Sequence, residues 1–175
     1  KVIRKRTPDE PLCLMAFKTI AESTGDLTFV RIYSGTLKKS TNVLNTRTGK
    51  TERIGRIVRM FANKRESLDE LQAGDIGAIV GLKNTYTGDT LCDEEKPIQL
   101  NKIQFPDTMI SMSIEPKKSA DRDKLGEVIS RMMREGPTFR AQTNEATGQL
   151  IISGMGELHL EIITNRIMTE HKCEV

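Results

Sequence analysis

The sequence contains no tryptophan, and its five Phe and two Tyr leave aromatics at 4% of 175 residues. Aromatic side chains usually carry much of a core's buried area, so any core here must be aliphatic. Cysteine is just as sparse. Cys13, Cys92 and Cys173 are an odd number at wide spacing, with no CxxC pair and only His159 and His171 to join them. That argues against a zinc motif and reads as free thiols in a reducing cytosol. Long apolar runs are missing too. Runs such as Ala78-Ile79-Val80, with Leu82 after a glycine, and Leu12 to Phe17 fall far below the ~20 residues that a membrane span requires. The N-terminus lacks the apolar stretch of a signal peptide and opens on Lys1 rather than Met, so the expectation is a soluble, cytoplasmic piece of a longer chain.

What is present is charge, unevenly spread. Charged residues make up 29% of the chain and the net charge is +3. Between Lys38 and Arg65, however, Lys38, Lys39, Arg47, Lys50, Arg53, Arg56, Arg59, Lys64 and Arg65 face the single acid Glu52. The local balance is +8, which leaves the remainder of the chain at −5.

The first hundred residues read as strands separated by turns. Leu12 to Thr19, Leu27 to Tyr33, Asn42 to Asn45, Thr51 to Met60 and Ile76 to Leu82 are rich in β-branched and other apolar residues. Turn signals lie between them at Thr24-Gly25-Asp26, Ser34-Gly35, Thr48-Gly49-Lys50, Ala73-Gly74-Asp75 and Thr87-Gly88-Asp89. Short strands at this spacing predict a closed β-barrel over 1–100, because closure removes unpaired edges.

The pattern changes over 101–175. Ile110, Met112 and Ile114 alternate with Ser111 and Ser113, predicting a strand with one packed face. Leu125, Val128, Ile129, Met132 and Met133 form the stripe of an amphipathic helix, with Ser119 and Asp121 as capping oxygens and Gly136-Pro137 as its stop. Thr138 to Thr143 and Gln149 to Ser153 predict a hairpin. A second helix after Gly156 carries Leu158, Leu160, Ile162, Ile163 and Ile167, more apolar residues than one face holds. Lys172 to Val175 begins a last strand, cut short. The resulting β-α-β-β-α-β order is that of a ferredoxin-like split βαβ domain. The predicted class is therefore mainly β plus α+β.

Motifs for catalysis are weak. Gly49-Lys50-Thr51 ends like a P-loop, but Leu44 stands where that pattern needs glycine, and a hairpin turn accounts for it. Ser153-Gly154-Met155-Gly156 joins a strand to a helix. A dinucleotide fingerprint would need glycine in place of His159, so close strand-to-helix packing is the plain explanation and backbone anion binding the alternative. His159 has no nucleophile beside it, and Glu157 with Glu161 reads as an exposed helix face. The arginine run is different in kind: either a solvated surface, or a phosphate-contacting patch. Phe61 is the one aromatic in that stretch, so recognition of folded RNA through backbone and shape is favoured over base stacking.

Specific runs then resemble a known family. Asp9-Glu10-Pro11-Leu12, Ala16-Phe17-Lys18, Leu27-Thr28-Phe29-Val30-Arg31, Tyr33-Ser34-Gly35-Thr36-Leu37, Ala73-Gly74-Asp75-Ile76 and Gly88-Asp89-Thr90-Leu91-Cys92-Asp93 resemble the second domain of bacterial-type elongation factor G. Ile114-Glu115-Pro116-Lys117, Pro137-Thr138-Phe139 and the highly specific Ile151 to Ile162 run resemble its third domain. The chain departs from the family at Gly136, usually Asp, and at Thr108, usually Pro.

The resemblance implies two domains, 1–100 and 101–175, of a ribosome-dependent GTPase that drives translocation of transfer RNA and messenger RNA. GTP and Mg would belong to a GTP-binding domain of the same parent chain, with no cofactor in this stretch. The expected partners are that domain, small-subunit ribosomal RNA and a small-subunit protein, with no membrane, and the piece itself is expected to be monomeric and not an enzyme. Candidate ribosomal RNA contacts are Arg53, Arg56, Arg59, Lys64, Arg65, Lys83 and Asn84. Positions matching the family's fusidic acid pocket and switch-facing side are Pro137, Thr138, His159, Ile163 and Arg166. Alternatives are another translational GTPase, acting in ribosomal protection, release or recycling, and an enzyme on a ferredoxin-like scaffold such as a small phosphatase.

Overall fold

The computed structural model describes residues 2–20, 25–62 and 64–175. Thr24, part of one expected turn, lies outside them. The chain divides into two compact units, Lys1–Ile103 and Gln104–Val175.

The first unit contains β1 (Cys13–Ile20), β2 (Leu27–Ser34), β3 (Thr36–Lys38), β4 (Asn42–Asn45), β5 (Lys50–Arg53), β6 (Ile57–Phe61), β7 (Lys64–Leu68), β8 (Glu70–Gln72), β9 (Ile76–Val80) and β10 (Thr90–Cys92). Eight of these form one antiparallel sheet in the order β5-β4-β10-β1-β2-β9-β6-β7, and β3 pairs with β8 in a separate ribbon.

The expected closed barrel does not form. Among the described residues β5 and β7 end the sheet and do not pair with each other. The reason lies in the segment Thr51 to Met60, expected as one strand, which breaks at 54–56. Ile54 exchanges hydrogen bonds with the turn before β4, its N–H donating to the Thr41 carbonyl at 2.8 Å and its carbonyl accepting from Ser40 at 2.8 Å. The Arg56 carbonyl accepts from the Val80 N–H at 3.0 Å. Backbone groups needed for a closing ladder are thus spent on two different neighbours. Both open edges carry charge, Lys50 and Arg53 on β5 and Lys64, Arg65 and Glu66 on β7, which discourages pairing with another chain.

The core is aliphatic, as the lack of aromatics predicts. Leu14, Ala16, Val30, Ile32, Leu37, Val43, Ile54, Ile57, Leu71, Ile79, Leu82 and Leu91 form it. Leu37 and Leu71 are register partners of the small ribbon. Neighbours in sequence on the opposite sheet face, Val58 and Ala78, join Leu27, Phe29, Met60 and Val80 in a smaller cluster.

The second unit runs β11 (Ile110–Ile114), a 3-10 turn at Ser119–Asp121, α1 (Arg122–Glu135), β12 (Arg140–Thr143), β13 (Leu150–Gly154) and α2 (Glu157–Thr169). Its sheet order is β11-β13-β12. α1 buries Leu125, Val128, Ile129 and Met132, each such side chain contributing about 1.5–3 kcal/mol. Two expectations change. Asp121 stands at the helix start without a side-chain cap, because Ser119–Asp121 is itself helical. The last strand of the split βαβ order is absent: residues 172–175 form no strand, and the Lys117 N–H reaches the Glu174 carbonyl at 3.0 Å without a ladder following. What stands is a mixed α/β chain, a multi-stranded sheet followed by a small βαβ-like unit.

Gly35 has φ +76°, and a Cβ there would lie 2.6 Å from the Glu10 carbonyl and 2.7 Å from the Leu12 backbone. Gly35→Ala is expected to lower stability by more than about 1–3 kcal/mol. An unchanged urea midpoint would contradict that close approach.

Candidate nucleic-acid interface

Glu52, the one acid among the nine cations, is 7% exposed. Its Oε2 accepts from the backbone N–H groups of Lys83 (2.9 Å) and Asn84 (3.1 Å), and its Oε1 from the Thr85 hydroxyl (2.5 Å). A buried carboxylate must be satisfied, and three donors do so here. Its charge is therefore committed to a loop rather than to the arginines around it.

Asp89, 5% exposed, holds the other end of that loop. It accepts from the Asn45 amide (2.9 Å), the Tyr86 N–H (2.9 Å), and Arg47 through Nε (2.7 Å) and Nη2 (3.0 Å). The Arg47 guanidinium also lies 4.4 Å from the Tyr86 ring centroid. Hydrogen bonding to Asp89, against the opposing effect of burial, raises the Arg47 pKa above the ordinary arginine value. Arg47 is thus a structural cation. Lys39 forms an exposed pair with Asp69, a type worth about 0–1 kcal/mol.

The seven candidate contacts separate into two places. Arg53 follows Glu52 directly, and Arg56 is bonded through its carbonyl to Val80, just ahead of Lys83. Glu52 brings Lys83 and Asn84 to the same edge. All four are exposed, and the Arg53 and Arg56 side chains have no partner among the described residues. Arg59, half-buried, sits on β6 opposite Glu66, and Lys64 and Arg65 lie across from Phe61 and Met60 at the far end of that pair. At ~3.4 Å per residue, the five steps from Arg56 to Phe61 span about 17 Å. The seven candidates are one loop-side cluster of four and a separate group of three along β6 and β7.

In the second unit, His159, Ile163 and Arg166 fall at i, i+4 and i+7 on one face of α2. Arg166 Nη2 reaches Glu135 at 3.1 Å and its Nε reaches Glu170 at 3.2 Å. Burial opposes the Arg166 charge, but hydrogen bonds to Glu135 and Glu170 prevail and raise its pKa. Glu135 ends α1 just before Gly136 and Pro137, so Arg166 is tied to the helix end that leads into Pro137 and Thr138. His159 lies two turns away. Ile163 is buried in the core and presents no surface.

Gly154 explains the glycine motif ahead of α2. A Cβ there would stand 2.8 Å from His159 Nδ1 and 2.8 Å from the Leu160 side chain. His159 Nδ1 meanwhile accepts the Met155 N–H at 3.1 Å. The imidazole serves the strand-to-helix junction. Among the described residues, no group of three or more His, Cys, Asp or Glu is placed to hold a metal ion. No helix among them is long and apolar enough to cross a membrane.

Residues 105–175 match the family described as Elongation Factor G, domain III, and residues 25–92 match Elongation factor Tu domain 2. The chain belongs to the elongation factor G and Tu family. A crystal structure from Thermus thermophilus superposes with a TM-score of 0.77 at 24% identity, covering 94% of this chain and 25% of that one. That likeness supports the fold, and the chain spans about a quarter of that protein's length.

The carboxylates Glu52 and Asp89 and the cation Arg47, which organise this edge of the elongation factor domain, are not among the residues singled out as sites by the sequence. One signal existed: a lone acid inside a basic run is a candidate for burial. Glu52→Ala is expected to raise amide hydrogen exchange at Lys83 and Asn84 by about 10- to 100-fold, since a bond to a charged acceptor is worth ~1.5–3 kcal/mol; unaltered protection would reject the clasp. Gly154→Ala is expected to cost roughly 1–3 kcal/mol through overpacking, read as a lower melting temperature of the second unit, and a neutral result would reject the close contact with His159.

Proposed function

We propose that this chain is a docking and coupling part of a ribosome-dependent translational GTPase of the elongation factor G type, one that moves transfer RNA and messenger RNA. The first unit meets small-subunit ribosomal RNA, and the second relays the state of a GTP-binding domain elsewhere in the parent protein. Neither unit performs chemistry of its own in this reading.

The observation that carries it is the loop-side cluster. Arg53 and Arg56 are exposed beside Lys83 and Asn84, while the acid that would neutralise them is turned inward. Such an arrangement suits phosphate oxygens, with the guanidinium forks giving bidentate contacts. The aromatic on that loop, Tyr86, is already engaged by the Arg47 guanidinium, so stacking on unpaired bases contributes little and backbone recognition dominates.

The second unit supports the relay. α2 buries Leu160, Ile163 and Ile167 but leaves Leu158 68% and Ile162 52% exposed one turn apart. Apolar area at helical spacing suits packing on a neighbouring protein domain. Pro137, Thr138, His159 and Arg166 border the side on which a drug of the fusidic acid type would sit, with Ile163 supporting from beneath.

Association with ribosomal RNA should weaken with salt at a log–log slope of roughly 0.7–0.9 per phosphate contact. Arg56→Ala is expected to reduce the slope by about one contact, whereas Lys39→Ala, already paired with Asp69, should leave it unchanged. Filter binding to small-subunit RNA across a salt series reads both, and salt-independent binding would overturn the proposal.

A further inference from the structure

Cys13 on β1 and Cys92 on β10 are register partners in the main sheet, and both are buried, at 2% and 0% exposed. Their position in the ladder is decided by the flanking hydrogen bonds. The Asp93 N–H donates to the Leu12 carbonyl at 3.0 Å and the Ala16 N–H to the Asp89 carbonyl at 2.9 Å. In an antiparallel ladder bonded and non-bonded pairs alternate, so Leu12 with Asp93 and Leu14 with Leu91 are bonded pairs and Cys13 with Cys92 is a non-hydrogen-bonded one. Such pairs have Cα atoms about 4.5 Å apart with side chains close together. A disulfide accepts Cα separations of roughly 4.4–6.8 Å. We propose that Cys13 and Cys92 are a cross-strand dithiol that a small peroxide converts to a disulfide stapling β1 to β10.

The chemistry is self-contained once the oxidant is supplied. The thiolate of one cysteine attacks a peroxide oxygen, the O–O bond breaks, and a sulfenic acid forms while the displaced oxygen leaves as water. The second thiol attacks that sulfur, the S–O bond breaks, and the second oxygen leaves as water. Two electrons pass from the sulfurs to the peroxide, and both thiol protons end in the waters.

Access sets the rate. Burial, with Cys92 alongside, pushes the Cys13 thiol up to about 11, so little thiolate exists until β10 opens. That strand is three residues long, a short element to displace. β10 also follows the loop bearing Lys83 and Asn84, so the staple would anchor the strand from which that loop departs.

Cys173 provides an internal comparison. It is a buried free cysteine in the other unit, packed in a separate core cluster, and has no partner thiol in that cluster.

The test treats the full chain with hydrogen peroxide, blocks remaining thiols with iodoacetamide under denaturing conditions, and maps the peptides by mass spectrometry. The expected product is a Cys13 peptide joined to a Cys92 peptide, lighter by two hydrogen atoms than the separate peptides and reversed by dithiothreitol, with the same cross-link in Cys173→Ala. Recovery of Cys13 and Cys92 as separate alkylated or sulfinic peptides would overturn the proposal, as would cross-links made only through Cys173 or only between molecules. Because the wild-type chain carries the measurement, a poorly folding Cys92→Ala variant leaves the result readable.

Discussion

A buried carboxylate at the edge of an open sheet organises the first unit. Glu52 sits on β5, a strand with a ladder partner on one side alone, and its three hydrogen bonds run to the segment that precedes β10. A carboxylate removed from water needs these donors, because the desolvation of an unpaired ion far exceeds what nearby apolar packing returns. The consequence reaches outward. With its charge satisfied by backbone N–H groups and a hydroxyl, Glu52 leaves the adjacent Arg53 without a carboxylate partner, and the loop it fixes places Lys83 and Asn84 beside it. One interaction thus secures an edge strand and exposes a cationic face.

The second unit uses a different device for a related end. Gly154 lets β13 approach the first turn of α2, where His159 accepts a backbone N–H, and Arg166 ties the following turns of the helix to the end of α1. The helix is held at both ends by polar contacts and along its middle by Leu160, Ile163 and Ile167. That leaves Leu158 and Ile162 outside, so the surplus of apolar residues noted in the sequence becomes surface rather than core.

Strand positions were largely legible where the pattern was local. The segments ending at Thr19, Tyr33 and Asn45, both helices of the second unit and its hairpin appear close to where alternation and helical spacing put them. Closure was not. A run such as Thr51 to Met60 looks continuous by composition, yet Ile54 and Arg56 direct their backbone groups to two separate elements. Whether a sheet closes depends on long-range pairing, which side-chain alternation does not encode. The same limit applies to 172–175, where an expected strand found no ladder to join, and to Asp121, absorbed into a helical turn instead of capping one.

By itself the sequence determined the largely aliphatic character of the cores, the change of pattern near residue 100 and the helical face of α1, because these follow from residue type and local spacing, while the family was legible through the resemblance of specific runs such as Ile151 to Ile162. It also marked the basic stretch. The tertiary structure alone decided which cations remain exposed, that Arg47 and Glu52 serve the scaffold, that Arg53 and Arg56 share an edge with Lys83 while Arg59 does not, and that Cys13 faces Cys92. Each of these depends on which distant backbone groups a side chain meets, and such meetings arise only when the chain has folded.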